Sequence, residues 1–251
     1  MQRAVGRCGC SRPVGPLVRS RRRGPADCRV EQASKPPHKE CVKTGEQRNM
    51  QSQHEIKIEG RNVVAFFSNA KPPLHLLSNF AEMPVVLNGK EFPSSEHAFQ
   101  ASLSKGLEND FTTDSKIGTL TTEAFVAAGF KQDKIQEKCA HWSKKKNIGI
   151  LAKAYIKLLK KVGQKRDVSH QECESLFKTI LLDKYRRNWY AKKVLLDTGD
   201  AYLLEFCRSA EREYKKNGFI NRWGGMVVDG KVVGHNQMGS LLMWVRDELR
   251  G

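Results

Sequence analysis

Asn88-Gly89-Lys90-Glu91-Phe92-Pro93-Ser94-Ser95-Glu96-His97-Ala98-Phe99-Gln100-Ala101 holds a turn, a returning strand, a strand stop and a helix start. Asn-Gly accepts the two positive φ angles of a type I′ turn, so residues 83–87 and 90–92 are expected as an antiparallel hairpin. Pro93 has no N–H for a ladder and ends the strand. Ser94 or Ser95 then caps a helix expected to run to about Lys105. Glu96, Phe99 and Gln100 lie three and four residues apart and share one face of that helix. One carboxylate is thereby placed in the first helical turn, behind an apolar hairpin.

Working outward, Asn62 to Phe67 reads as a buried strand, and Pro72-Pro73 forces an irregular link to Ser78-Asn79-Phe80. Residues 121–161 read as helical with breaks near Gly129 and Gly149. Further helices are expected over 170–187 and 189–196, followed by a short buried strand, 202–206. Asp229-Gly230 marks a second hairpin over 226–233, and Leu241, Leu242, Val245 and Leu249 trace the apolar face of a closing helix. Segregated hairpins among many helices predict an α+β fold, a single mainly helical domain over residues 55–251.

Residues 1–54 read differently. The formal net charge is +17. Residues 1–49 hold 12 Lys/Arg against 4 Asp/Glu, net +8, leaving +9 for the remainder. Pro, Gly and Arg without apolar periodicity predict a disordered basic tail. Seven Arg and no acid in the first 26 residues leave three readings open: an organellar transit segment, a basic extension, or a true start at Met50. The localisation expected is cytoplasmic, with an organelle as the alternative. No apolar run approaches the ~18 residues of a membrane span, so no membrane partner is expected. The seven cysteines show no C-x-x-C pair or zinc spacing, which suits reduced thiols. No Walker loop, G-x-G-x-x-G, G-x-S-x-G or H-E-x-x-H is present, and no metal or cofactor is expected.

Two readings compete at each chemically interesting residue. Glu96 is either a plain first-turn acid facing the helix dipole, or a partly desolvated base among Phe92, Phe99 and the hairpin. Trp142 and Trp223 are either core or flat platforms for a ring. Trp223 differs in being followed by Gly224-Gly225, which allows close backbone approach to a ligand. Trp244 reads as core. Glu205 is either a salt-bridged structural acid or a second site carboxylate. Asn79 and Asn236, in Ser-Asn-Phe and Gly-His-Asn-Gln, complete the set of candidate binding residues. Lys144, Lys145 and Lys146 are either a phosphate attractor or a solvated face.

The ordered motifs F-F-S at 66–68, S-N-F at 78–80, N-G-K-E-F-P-S-S-E-H-A-F-Q-A at 88–101 and W-S-K-K-K-N-I-G-I-L-A-K at 142–153 resemble the NADAR domain family. So do D-K-Y at 183–185, L-L-D-T-G-D-A-Y-L-L-E at 195–205, R-W-G-G at 222–225 and G-H-N-Q-M-G-S-L-L-M-W-V-R at 234–246. The resemblance covers about residues 62–250. It implies a YbiA-like fold and hydrolysis of the bond between a ribose C1′ and a base or amine nitrogen. Implied substrates are riboflavin-pathway ribosylamino-pyrimidine phosphates and ADP-ribose on guanine. Implied site residues are Phe66, Glu96, Trp142, Glu205, Trp223 and Asn236. The chain departs from the family pattern in having Ile220 where YbiA-like members carry an Asp, and in a longer link from Glu205 to Trp223. Glu205 is then the candidate proton donor and Glu96 the charge stabiliser and base. Two other readings stay open: a non-catalytic ADP-ribose or nucleotide binder, and a basic nucleic-acid-binding protein whose charge would equally suit an ADP-ribosylated nucleic acid.

Overall fold

The computed structural model describes residues 57–207, 209–217 and 221–251. The Arg-rich tail with its Cys and Met50 readings, and Ile220, lie outside the described residues.

Strand β1 (Lys57–Ile58) turns back antiparallel on β2 (Arg61–Phe66). The expected hairpin is present as β3 (Val85–Leu87) and β4 (Lys90–Phe92). Asn88 and Gly89 have φ of 52° and 75°, as the turn chemistry requires. Helix α1 (Ser95–Ser102) follows, with Ser94 Oγ accepting from His97 N–H at 3.3 Å. It stops at Leu103, short of Lys105, and the chain runs through a 3-10 turn at Glu108–Phe111. The long helical region resolves into α2 (Thr122–Ala127), α3 (Ile135–Lys144) and α4 (Gly149–Lys161). Then come α5 (His170–Arg187) and α6 (Trp189–Leu196), β5 (Tyr202–Glu205), and α7 (Ala210–Asn217), which sequence patterning misses. The chain closes with the hairpin β6 (Met226–Val228) and β7 (Lys231–Val233), and α8 (Gln237–Glu248). The fold is mixed α and β, mainly helical with short strands.

Two long-range devices set the site. The first is a parallel pairing of β2 with β5, in register Val63 with Tyr202 through Phe66 with Glu205. No local signal in either segment announces it. The second is the last turn of α5. Asp183 Oδ2 accepts from Val86 N–H of β3 at 2.6 Å, Lys184 Nζ donates to Ser78 O at 2.9 Å, and Tyr185 Oη donates to Leu77 O at 3.5 Å. Three consecutive side chains thus pin the hairpin and the 77–79 loop to one helix.

The core is continuous across α1, α4, α5, α8 and β2. Phe99 of α1 stacks on Phe177 of α5, with centroids 4.1 Å apart and planes 20° from parallel. Such an offset pair adds about 0.5–1.5 kcal/mol beyond its buried area.

Candidate functional site

Glu96 is the second residue of α1, and its N–H donates to Asn79 O at 3.0 Å, satisfying an N–H that the helix itself cannot use. The side chain is only 6% exposed, and Oε1 accepts from Gln100 Nε2 at 2.8 Å, one turn on. Burial pushes its carboxyl above the ordinary range, opposed by the Lys153 charge and the Gln100 hydrogen bond. Gly149 explains the close packing. A β-carbon there would lie 2.7 Å from Phe80 Cα and 3.0 Å from Glu96 Cβ, so only glycine lets the start of α4 sit against the acid. Lys153, one turn along α4, holds its ammonium 5.1 Å from the Phe80 ring centroid.

Glu205 ends β5 and is held entirely through its backbone. Its N–H donates to Asn236 Oδ1 at 2.9 Å, and its carbonyl accepts from Gly225 N–H at 2.9 Å. Its carboxyl is pushed up to about 7, first by burial and next by the neighbouring Glu96, with Lys153 and Lys184 opposing. The structure therefore brings the two sequence-nominated carboxylates into one electrostatic unit, with two lysines beside them. Like charges in a poorly solvated space oppose each other's ionisation, and burial together with Glu96 favours the protonated form of Glu205 up to about 7.

Lys184 is the residue that the sequence reading missed. It is 0% exposed, and its ammonium is drawn down to about 7 by burial, with Glu205 pulling the other way. The signal was available. Lys184 lies on the stripe shared by Phe177, Ile180 and Leu181, where a helix normally spends only apolar residues. A cation on such a stripe needs an anionic neighbour, and Glu205 supplies it.

The other nominated residues divide. Trp223 is half-buried, its ring meeting Phe99 at 6.0 Å and Phe177 at 5.0 Å, both edge-on. It therefore joins the aromatic cluster one turn from Glu96 on α1. Trp142 is half-buried near the end of α3, with His141 edge-on at 4.6 Å. Its carbonyl accepts from Asn147 N–H at 3.2 Å, tying it to the turn that leads into α4. Asn79 is buried beside the pair. Nδ2 donates to Met238 Sδ at 3.2 Å, and Oδ1 is buried with no hydrogen-bond partner.

Three nominated residues are engaged by the protein's own packing and backbone. Phe66 is 0% exposed and sits in the core, because strand alternation turns its ring inward, so it offers no face to a ligand. Asn236 spends both ends of its amide on β5, accepting from Glu205 N–H and donating from Nδ2 to Leu203 O at 2.7 Å; it positions the strand instead of gripping a sugar. Gly224 is close to protein backbone, since a β-carbon there would lie 2.5 Å from Glu205 O. Its smallness lets the Trp223 loop dock on β5. His97 is likewise internal. Nε2 donates to Ile117 O at 3.0 Å and Nδ1 accepts from Ser94 Oγ at 2.8 Å, with burial holding the ring neutral at about 4. Lys144, Lys145 and Lys146 are exposed.

No family model matches the chain, and no curated protein matches it. Among solved structures it is similar to the NMR structure of the E. coli protein YbiA, with 21% identity, 79% of this chain and 90% of that chain covered, and a TM-score of 0.45. At that level of overlap the fold assignment rests on the elements described above. No helix among the described residues is long and apolar enough to cross a membrane.

Proposed function

We propose that the protein is a hydrolase acting on the bond between a ribose C1′ and the nitrogen of a base or amine. The observation that carries this reading is the coupling of Glu96 and Glu205 in one poorly solvated space, one carboxyl favoured protonated and the other free to carry charge. The motif resemblance noted above supports the substrate class, with ribosylamino-pyrimidine phosphates and ADP-ribosylated guanine as the first candidates.

In the proposed reaction Glu205 enters as the acid and donates its proton to the departing nitrogen, which takes the electron pair of the C1′–N bond. The sugar passes through an oxocarbenium-like state, and ionised Glu96 steadies its positive charge. Glu96 then takes a proton from the water that attacks C1′, and that proton returns to Glu205 to close the cycle. Gln100 fixes one Glu96 oxygen, leaving the other for the sugar and the water. Asn236 fixes the strand that carries the acid. Trp223 and Trp142 supply the flat apolar faces for the base, and Asn79 Oδ1 offers an unused acceptor for a ribose hydroxyl.

The test is incubation of the protein with ribosylamino-pyrimidine phosphate, ADP-ribosylated guanine nucleotide and NAD, with mass spectrometry of the released base. Release from one of the first two, reduced at least ~100-fold by Glu96→Gln, is expected. Wild-type turnover in correctly folded Glu96→Gln refutes the role of Glu96. Tight ADP-ribose binding with no base released from any substrate would make the protein a binder.

A further inference from the structure

A cleft of about 550 Å³ opens between the N-terminal halves of α5 and α8, and neither Glu96 nor Glu205 lines it. That volume falls within the span typical of small-molecule sites, about 300–1,000 Å³. We propose that this cleft binds a phosphorylated, planar-ring ligand of mononucleotide size. Three separate features point to this class.

The first is charge. Lys178, Arg222, His170 and His235 border the cleft. Arg222 is exposed, and its guanidinium makes no hydrogen bond among the described residues. One carboxylate, Glu174, also lines the wall, but its oxygens are engaged by Lys178 Nζ at 2.9 Å and Gln237 Nε2 at 3.4 Å. Lys178 and Arg222 against Glu174 leave a net positive charge even with both histidines neutral. An unpaired guanidinium at a cleft mouth suits a phosphate, which it can bind with two parallel N–H donors.

The second is shape. Trp244, expected as core from its place in an apolar helix face, is half-buried and forms a wall of the cleft. The Lys178 ammonium lies 5.2 Å from its ring centroid. An indole beside a cation offers a stacking face for a planar ring whose phosphate reaches the basic rim. The third is an unmet acceptor. Gln237 Oε1 is buried with no hydrogen-bond partner, which is costly unless a ligand N–H or a water fills it. Phosphate, flat ring and N–H donor together describe a nucleoside monophosphate or a close analogue.

The probe is AMP, with adenosine and inorganic phosphate as its two halves, titrated calorimetrically into the full chain. AMP is expected to saturate below about 10 mM, and each half to bind at least ~10-fold more weakly. Arg222→Ala and Lys178→Ala should each weaken AMP at least ~10-fold and flatten its dependence on salt, because exposed charges are the ones that salt screens. Arg222 is exposed and Lys178 half-buried, so the folding of each variant is checked directly by circular dichroism. Glu96→Gln should leave AMP affinity within ~2-fold, since the cleft is independent of the glycosidase reading. AMP that fails to saturate, or that binds the Arg222→Ala/Lys178→Ala double variant like the wild type, overturns the proposal. So does AMP affinity lost in Glu96→Gln, which would place the nucleotide at the carboxylate pair instead.

Discussion

Lys184 donates to Ser78 O, holds its ammonium 5.0 Å from the Tyr185 ring centroid, and meets Glu205 through its charge. Its positive charge lowers the proton affinity of Glu205, against the larger effects of burial and Glu96. Removing that charge has a defined sign. Lys184→Met should raise the proton affinity of Glu205, so the alkaline limb of the pH–rate profile moves to higher pH. A purely structural lysine would change the rate without moving the limb, and a profile between pH 5 and 10 separates the two. Fold stability should also fall, by up to about 3–5 kcal/mol, because removing one member of a buried charge pair leaves Glu205 uncompensated and Ser78 O without its donor. Glu205→Gln, by contrast, removes the proposed proton donor. A loss of about 10²–10⁴-fold is expected, the usual range for a positioned acid.

The loop from Asn221 to Gly225 shows how backbone contacts seat the segment that carries Trp223 against β5. Asn221 Oδ1 accepts from Gly224 N–H at 2.8 Å, and Gly225 extends the β5 ladder through its bond to Glu205 O. Gly224→Ala would place a methyl group 2.5 Å from the Glu205 carbonyl oxygen, a backbone atom that cannot rotate away. A loss of about 1–3 kcal/mol by chemical denaturation is expected, with activity falling as β5 shifts. Asn236→Ala should cost a comparable amount, since Leu203 O and Glu205 N–H lose their partners. At this scale much was legible beforehand. Asn-Gly and Asp-Gly turns, the Ser94 cap and the apolar stripe of α8 appear where local chemistry places them. What was not legible is who pairs with whom. The β2–β5 ladder, Asn236 reaching β5, and Lys184 reaching Ser78 join residues more than thirty apart or on different elements. Side-chain periodicity reports which face is buried, not against what. That is why the packing partners of Phe66 and Asn236 were not readable from their own segments.

For the whole molecule, the buried pair couples function and stability to pH in the same window. The proposed reaction needs Glu205 protonated and Glu96 ionised, so a bell is expected, with its alkaline limb near 7 and its acid limb above the ordinary carboxylate range. Stability follows the raised value of Glu205. Its folded-state value of about 7 exceeds the ordinary 4.5, so its favourable contribution is fully present below 4.5 and is lost as pH rises through 7. Glu205→Gln carries no such charge. Its melting temperature should therefore gain on the wild type between pH 5 and 8, and a constant gap across that range would show that the carboxyl does not titrate there.

The parallel ladder between β2 and β5 also bears on when the protein becomes competent during synthesis. Glu96 is made early, but the strand carrying Glu205 is clamped by Asn236, 140 residues later. A growing polypeptide that has not yet exposed that asparagine holds one half of an incomplete acid pair. Any base-releasing activity should therefore switch on late and abruptly, as a marker of tertiary closure and not of local helix formation.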